Sequence, residues 1–374
     1  MSVDIPKGPS LLFNNLSYSS DFAVYIHINR VFLVSLKTVA TDAATAKFRE
    51  LPYKVHDEFV CTQAKWIQMG DSTHLILTTT SGFQVWNATG SNLLFFSPIS
   101  SMFDAIWKEN AALGGNADES SAAIRGARDN RVEFLRGISA IAGSNRFAVG
   151  ASTGDVFIYE LGGDGSEIAF RHLLPAGKCA DASAITALAS SPSHVVCADD
   201  NGSLAVWDVG TWQPLFNFGG VSSRSLSESR GFPCTSVEIR GDTIFGAFAT
   251  GHLRLFRLSG RSCVVEIAAH ARCITALDLH PKLEILVSVG EDSLVNVWNF
   301  DLGGDGAIGA ELRLSHSVKD SLLTGVQFAE NGQIVASTYD REALVVLDHR
   351  HAMHTAALSA SNSIQDPPPH EKKE

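Results

Sequence analysis

The stretch Ala269–Phe300, AHARCITALDLHPKLEILVSVGEDSLVNVWNF, decides the fold. Its first run alternates. Cys273, Thr275, Leu277 and Leu279 share one parity and Ile274, Ala276 and Asp278 the other, so only one side carries a charge. His280-Pro281-Lys282 then turns, because Pro281 lacks an amide donor and fixes its own φ. Leu283–Val289 is apolar and rich in β-branched residues apart from Glu284 and Ser288, which suits a strand covered on both faces. Gly290-Glu291-Asp292-Ser293 is turn chemistry, and Leu294–Trp298 is a third strand. The stretch is one small antiparallel sheet with an aromatic closing its third strand.

The unit recurs on both sides. Ser81-Gly82 leads into Phe83–Trp86, Thr153-Gly154 into Val156–Tyr159, Asn201-Gly202 into Leu204–Trp207 and Thr250-Gly251 into Leu253–Phe256. Downstream, Tyr339-Asp340 leads into Leu344–Leu347. The closing residues Trp86, Tyr159, Trp207, Phe256, Trp298 and Leu347 recur about 40 to 50 residues apart. One interval, Trp86 to Tyr159, is longer by a loop insert at about 103–130. That insert is rich in Ala, Asn, Ser and Gly, with a short helix expected at Asp104–Ala112. One period back from Trp86 lies Leu36, the end of a first unit made of Leu11–Leu16, Phe22–Ile28 and Val31–Leu36.

Seven units follow. A single small sheet cannot cover both its faces, but a ring of them buries each face against a neighbour. The expected fold is therefore all-β: a single seven-bladed β-propeller of four-stranded antiparallel blades over 11–358. A mobile end is expected at 1–10 and a disordered tail at 359–374.

His270, Ser288, Asp292, Trp298 and Asn299 have the spacing of a WD repeat, and the chain resembles the WD-repeat β-propeller family. Here Ala269-His270 replaces the usual Gly-His and Trp298-Asn299 the usual Trp-Asp. The resemblance implies that His270, Ser288, Asp292 and Trp298 form a structural hydrogen-bonded network, since a buried indole or imidazole needs partners. Asn201, Thr153 and Thr250 stand where Asp292 stands, so the other blades are expected to lack the full set. A finer resemblance, to one branch of that family, runs through Asn14–Ser17, Arg136-Gly137-Ile138, Ala198-Asp199-Asp200, Pro233-Cys234, Gly290-Glu291-Asp292 and Tyr339-Asp340. Segments at about 103–130, 162–183 and 222–230 depart from it. The branch suggests signalling complexes.

Composition narrows the function. The net charge of −11 opposes a nucleic-acid surface or an anionic membrane as partner. FAVYIHINRVFLVSL is the longest apolar run and is broken by His27, Asn29 and Arg30, so no membrane insertion is expected. MSVDIPKGPS is no signal peptide. The six cysteines form no CxxC pair and read as buried, reduced thiols of a cytoplasmic protein. No H-E-x-x-H and no P-loop is present, and no enzyme and no cofactor is expected. His349, His351 and His354 lack a Cys or carboxylate at ligand spacing, and Gly162–Gly165 and Gly303–Gly306 hold one carboxylate each, so no metal is expected. Ser222–Ser229 reads as a solvated loop.

The reading is a non-enzymatic scaffold that assembles other proteins. The resemblance places the loops before each first and third strand on one face, which makes Arg272, Glu291 and Asp200 candidate partner contacts. An alternative rests on Leu347-Asp348-His349-Arg350, which resembles the W-D-x-R ending of propellers that recruit substrates to cullin-type ubiquitin ligases; Arg350 is its candidate contact. A third reading, catalysis in the central channel, is disfavoured because the innermost strands read as mostly apolar or Ser/Thr.

Overall fold

A computed structural model describes residues 2–19, 22–36, 47–52, 59–102, 132–162, 167–176, 183–219, 232–301, 309–339 and 341–348. The short helix at 104–112, the insert at 103–130, the Ser222–Ser229 loop, the three C-terminal histidines and the tail lie outside those residues. So do Arg350 and the centres of both glycine-rich loops.

Seven four-stranded antiparallel sheets make up the described chain. The sixth runs Ile274–Leu279, Ile285–Gly290, Leu294–Asp301 and Gly309–Ser317, so the deciding stretch supplies three of its four strands. The innermost strands of the second to seventh sheets begin at Cys61, Leu135, Ile185, Cys234, Ile274 and Leu323. Each innermost strand lies beside the next, and that of the seventh sheet lies beside that of the first, Ser17–Tyr18. The ring is closed.

The core is accordingly not one core. Seven apolar layers form, each between two neighbouring blades. Phe83 and Val85 of the second meet Phe147 and Phe157 of the third, for example, and Phe245 and Leu255 of the fifth meet Ile274 and Trp298 of the sixth. This is why strands such as Ile285–Gly290 are buried along their whole length.

Two expectations at the N-terminus are corrected. Residues 1–10 read as a mobile end, yet Ser2–Asp4 is the outermost strand of the seventh blade, with Val3 opposite Leu344 and both Val3 and Ile5 buried. Without it Ala343–Asp348 would leave an unpaired edge. Leu11–Leu16 read as a strand but forms turns, with Asn14 at φ 54°. Its asparagines bond backbone groups instead: the Asn15 amide reaches Ser10 O and Ile26 O, both at 2.9 Å.

The thiols also differ from expectation. Cys61, Cys197 and Cys234 are buried, but Cys263 is exposed on an outermost strand and Cys273 is half-buried.

Candidate functional site

His270 stands in the loop entering the sixth blade, Ser288 on its second strand, Asp292 in the following turn and Trp298 on its third strand. His270 Nδ1 lies 2.9 Å from Asp292 Oδ1 and its Nε2 lies 2.8 Å from Ser288 Oγ. Trp298 Nε1 donates to the same Ser288 Oγ at 3.0 Å. Asp292 also accepts the amides of Ala271 at 2.9 Å and Leu294 at 3.3 Å. Burial alone would raise its carboxyl; the His270 bond and these amides bring it below the usual carboxylate range. Asn296 joins the set by donating to Ala269 O at 2.9 Å. It alternates with Trp298 on the third strand, but nothing in the motif marks it.

Other blades close the same turn differently. In the second, the register that pairs Leu286 with Trp298 pairs Leu75 with Trp86, so Leu77 stands in the place of Ser288. The Trp86 indole turns to Gln84 Oε1 at 3.0 Å. In the third, Thr153 donates to Asp155 Oδ2 at 2.7 Å. In the fourth, Asp199 accepts the amides of Asn201 at 3.0 Å and Ser203 at 2.8 Å; burial outweighs these bonds and pushes its carboxyl up to about 6.

The His270–Asp292 bond fastens two loops of one face together, and the candidate contacts stand on them. Arg272 is exposed and Glu291 half-buried, with the Glu291 amide on Cys273 O at 2.9 Å. Asp200, in the corresponding turn of the fourth blade, is exposed, accepts Ser183 Oγ and donates its amide to Ala184 O at 3.0 Å. Arg272, Glu291 and Asp200 therefore share one rim. Asp348, the start of the Asp-His-Arg ending, closes the third strand of the seventh blade opposite Gln333.

The centre of the ring holds what the sequence reading missed. The second residue of five innermost strands is threonine: Thr62, Thr186, Thr235, Thr275 and Thr324. At each a β-bulge interrupts the ladder. Four of the hydroxyls donate to the first carbonyl of the next innermost strand: Thr62 to Leu135 O, Thr186 to Cys234 O, Thr235 to Ile274 O at 2.6 Å and Thr275 to Leu323 O at 2.7 Å. Ser337 of the seventh blade donates to Asn15 O of the first at 3.0 Å. The recurrence of an apolar residue or Cys followed by Thr at five of the seven innermost strand starts was the available signal. In the third blade Arg136 takes the threonine's place. Its guanidinium lies over the Phe13 ring at 5.2 Å, and burial pulls it down to about 10.

Phe13 and Asn14 belong to the loop that leads into the first blade. From there Asn14 crosses to the far wall. Its amide donates to Thr275 O at 3.1 Å, its Nδ2 to Thr235 O at 2.9 Å, and its Oδ1 accepts Ser236 Oγ at 2.8 Å. This loop covers the channel on the His270 face. Below it lies a small, partly open cavity lined by Lys65 of the second blade, Glu238 of the fifth, Asp278 of the sixth and Gln327 of the seventh. The expectation of mostly apolar or Ser/Thr channel positions is corrected: both carboxylates and a lysine converge there. They sit in the interior of their strands, where alternation alone does not say which side faces the channel. Asp278 Oδ2 accepts the Phe328 amide at 2.7 Å, and burial followed by the charge of Glu238 pushes its carboxyl up to about 8. Glu238 is raised too, by burial.

Comparison with known proteins follows the same lines. A family model described as WDR54 matches residues 55–345. WD repeat-containing protein 54 of Mus musculus is 27% identical over 275 residues, 72% of each chain. The Homo sapiens protein of that name is 27% identical over 280 residues, again 72% of each. These relatives are the branch to which the finer sequence resemblance points. Among solved structures, a chain of "Crystal Structure of Mitotic Checkpoint Complex" superposes with a TM-score of 0.64, covering 93% of this chain and 90% of that one. At 11% identity that likeness shows the fold alone.

Proposed function

The chain belongs to the WDR54 family, and on that premise we propose that it is a non-enzymatic scaffold that assembles partner proteins in the cytoplasm, in signalling complexes. WD-repeat propellers serve generally as protein-interaction scaffolds. The observation that carries the reading here is the 2.9 Å tie between His270 and Asp292. It holds two loops of one face in fixed relation, so Arg272 and Glu291 stand on a rigid rim with Asp200 farther round. A rigid rim binds without first ordering its own loops, which lowers the entropic cost of association. Mixed charge at the rim favours partners of complementary pattern.

Proximity labelling tests this. A variant carrying Arg272→Glu, Glu291→Arg and Asp200→Arg is expected to lose the proteins labelled by the wild type while keeping its thermal midpoint. An unchanged set of labelled proteins overturns the rim reading. Fractionation of the same cells reports the compartment. A second reading rests on Asp348, which ends the third strand of the last blade as Asp208 ends that of the fourth. With His349 and Arg350 it supports recruitment to a cullin-type ubiquitin ligase. Equal recovery of the ligase adaptor by wild type and Arg350→Ala disposes of it.

A further inference from the structure

The channel has the construction of a binding pocket. It is covered at one end by the Asn14 loop, and its walls carry charge where packing alone asks for apolar groups. Glu238 and Asp278 project from neighbouring blades, and Lys65 comes from the opposite side of the ring. The three charges feel one another. Among the described residues neither carboxylate closes an ion pair with Lys65. Asp278 has two backbone donors, the amides of Phe328 and Leu279. Glu238 is half-buried, lines the cavity and has no hydrogen-bond partner among the described residues. Arg240, the other nearby cation, directs its hydrogen bonds elsewhere, Nη1 to Leu283 O at 2.6 Å and Nη2 to His280 O, and reaches Glu238 and Asp278 only through its field. Two carboxyl groups placed in each other's field without a bound counter-charge destabilise a fold.

We propose that the channel binds a single organic cation, an ammonium or guanidinium group, between Glu238 and Asp278. A cation there turns the repulsion of the pair into two charge-assisted contacts. Gln327 Oε1, which already accepts the Tyr18 amide at 2.6 Å, keeps a second lone pair along the same wall. Lys65 opposes a second positive charge in the cavity, so a monocation, or a zwitterion whose acid end meets Lys65, is preferred to a polyamine. The cation enters from the end away from the Asn14 loop. This site is separate from the rim and stands whether or not the rim reading does.

Calorimetry of the full chain at neutral pH tests it with four probes: L-arginine, butylguanidine, spermidine and a capped peptide with one arginine. At least one monocation is expected to bind saturably, about tenfold or more tighter than spermidine. Binding should release protons, read as a dependence of the heat on buffer ionisation enthalpy. Tighter binding of the peptide assigns the cation to a partner's side chain; tighter binding of the free molecules assigns it to a small ligand. Glu238→Gln should weaken the bound probe about tenfold or more while leaving the unliganded melting temperature equal or higher. No monocation binding below about 10 mM, equal binding by Glu238→Gln, or a lowered melting temperature in that variant overturns the proposal.

Discussion

His270 and Asp292 show what one residue does here. Each side chain is largely enclosed; His270 satisfies the buried Ser288 hydroxyl, and Asp292 holds His270 and the Ala271 amide. Replacing either by Ala leaves Ser288, Ala271 or the remaining partner unpaired, and is expected to lower stability by about 1–3 kcal/mol. Denaturant midpoints of the two variants check this; unchanged midpoints contradict it. Asp278 behaves in the opposite sense. Its folded value of about 8 lies above the ordinary carboxylate value of about 3.9. Between those values the folded chain holds a proton that the unfolded chain has released, so stability falls as pH rises from about 4 to about 8. Glu238 adds to the trend, and Lys65 and Arg240 reduce it. Asp278→Asn should match the wild type near pH 4 and exceed its stability by at least about 1 kcal/mol near pH 8. Unfolding curves at the two pH values decide. The His270 set was legible because its spacing is a repeat signature. The charge on Asp278 was equally legible, but its place in the channel was not.

At the scale of the element, turns and bulges join blades as well as strands. Gly251 has φ +81° in the turn before the third strand of the fifth blade, and an added Cβ would come within 2.3 Å of His270 O. Its carbonyl accepts the amides of Ala269 and His270 at 3.0 Å each. Gly251→Ala is therefore expected to cost about 2 kcal/mol or more, from strain and displacement of the neighbouring loop. A thermal melt measures it. The corresponding glycines Gly154 and Gly202 also have positive φ, whereas Ser293 holds that place in the sixth blade at φ 69°. The bulged threonines make the second link. Thr235→Val deletes the donor to Ile274 O and should cost about 1–2 kcal/mol, with Thr235→Ser recovering most of it. A Val variant as stable as the Ser variant removes the hydroxyl from the account. The Thr-Gly and Asn-Gly pairs announce their turns because few other residues accept positive φ. The bulge does not announce itself, since one extra residue changes the parity of a strand without changing its composition.

At the scale of the whole molecule the ring is closed by three residues. Ser2–Asp4 pairs with the strand Ala343–Asp348 and buries Val3 against Leu344. Removing residues 1–5 leaves that strand with a free edge and opens the layer between the seventh and first blades. The truncated chain is expected to melt lower by several degrees and over a wider range, because a closed ring unfolds as one unit and an open one frays. A transition as sharp and as high as that of the full chain excludes this closure as a source of stability. The ring also fixes where interaction is expected: loops on the His270 face for proteins, and the far end of the channel for a cation.

The sequence alone determined the blades. Strand periodicity, glycine-bearing turns and a closing aromatic every 40 to 50 residues or so are local requirements, and each unit must meet them by itself. Tertiary structure alone decided the closure and the centre. Val3 and Ile5 look like part of a loose end until a strand more than three hundred residues away supplies their cover. Glu238, Asp278 and Lys65 are unremarked members of separate strands until the circle brings them to one cavity. Which side chains face the axis depends on how every blade leans on the next, and no single stretch of chain carries that information.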